Sequence, residues 1–229
     1  MRRTTLIFSL TLFLALFATI GATAHAQTCR GLAPFSNGPV QVSAEGATTR
    51  GSSGLSAGVG YGFSTGVFGA ATIGTRSMEA FDGSALDLGV SVGYRMSLSQ
   101  AATFELCPVA GFAAGIGPNG SFSSDVKRSS RTGSLGLALG TSLYAGPRLQ
   151  VVPSLGIQLL LDDSKAVNSA GTSLFEISDN YGLAQLGVGL VVNSNLSLRP
   201  GVEMPIGLEG SEPTISLTVG YNFGRRTQS

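Results

Sequence analysis

Ile215-Ser216-Leu217-Thr218-Val219-Gly220-Tyr221-Asn222-Phe223 decides the fold of this chain. Its odd-numbered positions hold Ile, Leu, Val, Tyr and Phe; its even-numbered ones hold Ser, Thr, Gly and Asn. Strand side chains alternate between faces, so the stretch is a ribbon with one large apolar face and one small, polar face. The same alternation returns from residue 54 onward, each time closed by a turn. Charges fall in the turns or on the small-residue face, whereas a soluble sandwich decorates its outer face with them. That distribution suits a closed antiparallel transmembrane β-barrel with lipid outside and a polar lumen.

Ten strands are expected, at about 39–48, 54–63, 66–75, 85–97, 102–114, 133–144, 148–161, 181–192, 195–206 and 213–223. Each is near the roughly 9 to 11 residues that a tilted strand needs to cross a bilayer. Eight strands, with the first segment or 66–75 misassigned, is the alternative. Short links (Ser64-Thr65, Ser99-Gln100-Ala101, Ala145-Gly146-Pro147, Asn193-Ser194) alternate with longer polar ones, the longest being Gly117–Thr132 and Asp162–Asn180. Short turns on the periplasmic side and long loops outside are the habit of outer-membrane barrels, and an even strand number leaves both termini periplasmic.

The first 26 residues read as a cleaved secretory signal: Arg2 and Arg3, an apolar run from Leu6 to Ala22, then Ala24-His25-Ala26. The expected order is therefore signal peptide 1–26, periplasmic segment 27–38, barrel 39–224 and tail 225–229. Without the signal the chain carries 12 basic and 13 acidic side chains, which asks for no nucleic acid. After Ala22 no run of 18 apolar residues occurs, so no transmembrane helix is expected.

Two internal repeats support the strand register. Val59-Gly60-Tyr61-Gly62-Phe63, Val92-Gly93-Tyr94-Arg95-Met96 and Val219-Gly220-Tyr221-Asn222-Phe223 end three strands alike. Tyr61, Phe63, Tyr94, Tyr221 and Phe223 are thereby placed at a membrane interface, where an apolar ring and a polar tip are both satisfied. Phe104-Glu105-Leu106-Cys107-Pro108, Leu149-Gln150-Val151-Val152-Pro153 and Leu196-Ser197-Leu198-Arg199-Pro200 open three others. Proline removes a ladder donor, so each predicts a bulge or a locally open bond.

With Tyr221 and Phe223 alternating at its C-terminus, the chain resembles the small outer-membrane β-barrel family, the OmpA/OmpX-like class of Gram-negative-type bacteria. It departs from that class in having Thr218 three residues before the Tyr and a tail after the final Phe. The resemblance implies residence in the outer membrane among lipid and lipopolysaccharide. It also implies delivery by the barrel assembly machinery through the last strand.

His25 is the only histidine and leaves with the signal. No His base then remains for a Ser or water nucleophile, so no enzyme is expected. Two cysteines without His cannot complete a zinc site; neither metal nor other cofactor is expected. Cys29 and Cys107, in an oxidising compartment, either form a disulfide or stay free thiols. Bonded, they would tuck residues 29–38 into or across the periplasmic mouth.

By parity Glu45, Asp87, Arg95, Glu105, Arg199 and Glu203 point into the lumen, and the levels of the strand prolines bring Glu105 near Arg199. Buried opposite charges pair, giving either a static network or a constriction that opens a water path when pairs break. In the long loops, Lys127, Arg128 and Arg131 either solvate the surface or meet lipopolysaccharide phosphates or another external ligand. Two functions remain: a narrow passive channel or membrane-stabilising barrel, and a surface interaction protein that binds through its loops.

Overall fold

The computed structural model describes residues 28–35, 39–79, 83–98, 104–117, 126–146, 148–168, 171–208 and 210–224. The signal expected at 1–26 and the tail at 225–229 lie outside them. Twelve strands follow in chain order: β1 (Val40–Thr49), β2 (Ser52–Gly62), β3 (Val67–Met78), β4 (Ser84–Tyr94), β5 (Met96–Ser97), β6 (Phe104–Ile116), β7 (Lys127–Thr141), β8 (Leu143–Gly146), β9 (Leu149–Val167), β10 (Ser173–Val192), β11 (Leu196–Ile206) and β12 (Thr214–Phe223). β5 continues β4 against β6, and β8 continues β7 against β9.

Counted as walls, these make ten strands. Each pairs antiparallel with its sequence neighbours, and β1 pairs with β12 from Val40↔Phe223 to Thr48↔Ile215, which closes the barrel. Both described chain ends lie at one end, here called lower. That ten-stranded count agrees with the sequence pattern, most boundaries within a few residues.

The faces divide as the alternation predicts. In β12 Ile215, Leu217, Val219, Tyr221 and Phe223 are exposed on the outside, while Ser216, Thr218, Gly220 and Asn222 are buried inside. Leu55, Ile73, Val90, Phe112, Leu135, Ile157 and Met204 extend the outer apolar belt around the wall. Such a belt is stable only against an apolar solvent, since each large side chain moved out of water contributes about 1.5–3 kcal/mol. Among the described residues no helix is long and apolar enough to cross a membrane; the crossing elements are strands.

The three prolines act as expected, by opening the ladder rather than bulging it. Each is the fifth residue of a strand rising from the lower end. Pro108 faces the gap between β4 and β5, where pairing stops at Gly93↔Val109 and resumes in the same register at Met96↔Leu106. Pro153 faces the gap between β7 and β8, and the β10–β11 ladder skips the positions opposite Arg199 and Pro200. Without an amide hydrogen, each proline leaves its neighbour's carbonyl without a ladder donor.

At the upper end the two expected long loops are much shorter. β7 begins at Lys127, so Lys127, Arg128 and Arg131 lie on a strand and not in a loop. β9 and β10 pair as far as Val167↔Ser173, reducing the loop expected at 162–180 to a tight connection. β11 ends at Ile206, opposite Gly182, so Ser173–Tyr181 rise beyond it. β7, β9 and β10 thus form a blade above the wall. On one face of the blade Arg128 stands over Phe175, 5.2 Å from the ring centroid, with Ala166 buried in the same cross-strand row. On the other face Lys165 and Glu176 pair at 3.6 Å.

Candidate functional site: a tethered plug beneath a charged chamber

Residues 28–35 fold back inside the lower end of the barrel. Thr28–Arg30 form one 3-10 turn, closed by the Gly31 amide donating to the Thr28 carbonyl. Cys29 is bonded to Cys107 on β6, across a sequence separation of 78 residues. From the opposite wall, Ser197 accepts the Ala33 amide at 2.9 Å, and the Asn222 amide donates to the carbonyls of Ala33 and Pro34 at 3.3 and 3.0 Å. Gln41 donates in turn to Asn222 at 2.6 Å. Ser197, Asn222 and Gln41 are buried polar groups from three adjacent strands, and the segment satisfies them. Phe35 is fully buried and packs on Phe68, with ring centroids 6.3 Å apart.

The wall is recessed to admit this segment. A Cβ on Gly140 would meet the Thr28 carbonyl, and one on Gly189 the Gly31 carbonyl. The ring of Phe35 occupies the space a side chain at Gly62 would need. Replacing Gly189 by Val therefore sets the wall against the plug's backbone, and overpacking of this kind costs about 1–3 kcal/mol. The expected result is a lower unfolding midpoint in urea together with faster protease cleavage within residues 28–35. A variant as stable and as protected as the parent would show that the plug does not occupy the recess.

The lumen residues fall into separate groups. Arg95 and Glu105 pair at 3.1 Å beside the disulfide, both buried. The partner of Glu105 is thus Arg95, not Arg199: Arg95 stands opposite Cys107, two residues from Glu105 on the same face, in the gap faced by Pro108. Asp87 pairs higher up with Arg76 at 3.3 Å, a partner that parity also places inside but that the sequence reading passed over. Glu45 accepts from Thr218 at 2.7 Å. Glu203 accepts from Gln185 at 2.9 Å, and Gln185 accepts from Gln158 at 3.0 Å. Arg199 and these two carboxylates line a polar cavity of about 330 Å3 directly above the plug, Glu203 four residues on along the same strand and Glu45 in the row of Arg199 two strands away.

The interface aromatics sit outside at the lower end. Tyr61 and Phe63 meet edge to face at 4.8 Å, Tyr221 and Phe223 at 4.7 Å, all four exposed. Tyr94 is half-buried on the same outer parity. What the sequence reading missed is Arg30, Phe35 and the polar grip of Gln41, Ser197 and Asn222. The available signal was the inward glycines, Gly62, Gly140 and Gly189, which make room for a segment as well as for curvature.

A closed ten-stranded barrel with an apolar belt outside, aromatic pairs at one rim and charges within is an outer-membrane β-barrel protein. Residues 37–203 match the autotransporter β-domain family, and the chain belongs to it. The outer-membrane class expected from the last strand stands, and nothing singles out the OmpA/OmpX-like branch. Among solved structures, the β domain of the Bordetella autotransporter BrkA is similar at 15% identity and a TM-score of 0.45, over 80% of this chain and 98% of that one. The translocator domain of NalP from Neisseria meningitidis gives 14%, 0.42, 80% and 87%. Ail, the attachment invasion locus protein of Yersinia pestis, gives 15%, 0.39, 82% and 99%. A search of curated proteins by sequence finds no match.

Proposed function

We propose that this protein is a narrow passive channel of the outer membrane, held shut from the periplasmic side by its own N-terminal segment. The observation that carries this reading is the plug: residues 28–35 cross the lower mouth, fixed covalently to β6 and by hydrogen bonds to β11 and β12. Above it the lumen is polar, lined by Ser, Thr, Gln and charged side chains, as a water path requires. A barrel serving only to stiffen the membrane would gain nothing from a polar chamber behind a separate stopper. No catalytic role is assigned, because no His base is available in the barrel.

The test is single-channel conductance of the folded protein in a planar bilayer, before and after reductant. Little or no conductance at first and a clear rise on reduction is expected. Silence in both conditions, from protein shown to be inserted, sinks the channel reading.

A second reading is favoured by one observation, the blade of β7, β9 and β10, which lifts Arg128 and Lys165 to its upper part, with Arg131 below them beside β6. Under that reading the barrel is an anchor and the blade the contact surface for an external partner. Shortening the β9–β10 hairpin would then spare assembly and remove binding, while leaving the reductant response unchanged.

A further inference from the structure

The chamber above the plug holds a balanced set of fixed charges that do not touch. Arg199 and Arg30 supply the positive ones, Glu45 and Glu203 the negative ones, and the four lie within electrostatic reach of one another. Among the described residues no ion pair joins either arginine to either carboxylate. Elsewhere in this lumen opposite charges do pair, at Arg95–Glu105 and Arg76–Asp87. Separated, partly desolvated charges are costly unless something between them completes their hydrogen bonds.

Three of the four charges are also held in place. Thr218 fixes Glu45, and the Gln158–Gln185 relay fixes Glu203. Three glycines cradle the Arg199 side chain: a Cβ on Gly187 would fall 2.6 Å from its Nε, on Gly31 2.9 Å, and on Gly201 3.2 Å from Nη1. Gly31 belongs to the plug and has a φ of +70°, so the plug helps build the cradle as well as supplying Arg30. The buried Arg199 Nε has no hydrogen-bond partner within the protein. A guanidinium fork prefers a planar carboxylate, and a fixed carboxylate prefers an ammonium.

We propose that this chamber binds a small zwitterion, an amino-carboxylate whose acid group meets Arg199 and Arg30 and whose ammonium lies between Glu45 and Glu203. An anion alone would meet the two carboxylates, and a cation alone the two arginines; only a molecule with both charges suits both pairs. The volume, about 330 Å3, is many times the roughly 10–15 Å3 that admits one water. This rests on the channel reading only in its route, since the solute enters from the upper end, which no described residue crosses, and is stopped by the plug.

The test uses three molecules of one shape, 4-aminobutyrate, butyrate and butylamine, titrated against the disulfide-bonded protein in detergent micelles by saturation-transfer NMR. 4-Aminobutyrate is expected to bind about 10-fold or more tightly than either singly charged relative, in line with the loss of one charge-assisted contact. Arg199→Gln and Glu203→Gln are each expected to remove that preference, with folding confirmed by the circular dichroism melt. If Arg199→Gln fails to fold, Glu203→Gln carries the test alone. Butyrate binding as tightly as 4-aminobutyrate, no binding of any of the three, or a preference untouched in a folded variant would overturn the proposal. The signal reads binding and not conduction, so a barrel silent in a bilayer would sink the channel reading and leave this result standing.

Discussion

Replacing Cys29 and Cys107 together by Ser is expected to lower stability by about 4 kcal/mol and to open the lower mouth. The size follows from chain entropy, because the bond closes a long loop, 78 residues apart in sequence, in the unfolded chain. Removing it frees that ensemble while the barrel wall itself keeps its ladders. The plug then depends on Ser197, Asn222 and the packing of Phe35 on Phe68. Urea-unfolding midpoints of refolded protein in lipid vesicles, read for the double variant and for the parent with and without reductant, provide the measurement. Parent under reductant and the double variant should coincide. A loss under about 1 kcal/mol would mean that the unfolded chain already holds these two residues close.

Arg95→Ala is expected to cost about 3–5 kcal/mol, because it strands a buried carboxylate. Arg95 is only 2% exposed and Glu105 8%, so water cannot replace the lost partner. Removing both charges, as in Arg95→Met with Glu105→Leu, should recover most of the loss, since an apolar pair of similar volume asks for no partner. The same vesicle unfolding assay reads both. A single variant within about 1 kcal/mol of the parent would show that the pair is hydrated. Arg95 stands opposite Cys107, so its effect and that of the disulfide share neighbours and should not add.

Alternation carried the wall into view. In β12, β2 and β4 the large residues have lipid on one side and a narrow lumen on the other, and that contrast writes the period of two into the sequence. The upper halves of β9 and β10 have no such contrast. Asp162, Asp163, Ser178, Asp179 and Asn180 are polar on both faces because both faces meet solvent, so the stretch resembles a loop while its backbone stays paired.

The site was legible unevenly for similar reasons. The cysteine count offered the bond between Cys29 and Cys107, and it forms. Parity put the lumen charges inside but could not say which would meet. Aligning strands by their prolines set Glu105 beside Arg199, whereas the ladder places Arg95 within reach of Glu105. Residues 28–35 have no period at all, since their contacts are to a wall built much later in the chain. Arg30 and Phe35 were therefore invisible in the segment itself.

The three prolines have a mechanical meaning. A barrel resists deformation as a hoop does, through an unbroken circuit of bonds around its circumference. The openings at Pro108, Pro153 and Pro200 all lie at one height and on one arc, at alternate seams between β4 and β11. The opposite arc, from β11 through β12 and β1 to β4, keeps every rung. The hoop therefore has a rigid half and a compliant half at the level of the plug. Its disulfide anchor is set in the compliant arc and its polar grip centres on the rigid one, so a push on the plug flexes the wall on one side only.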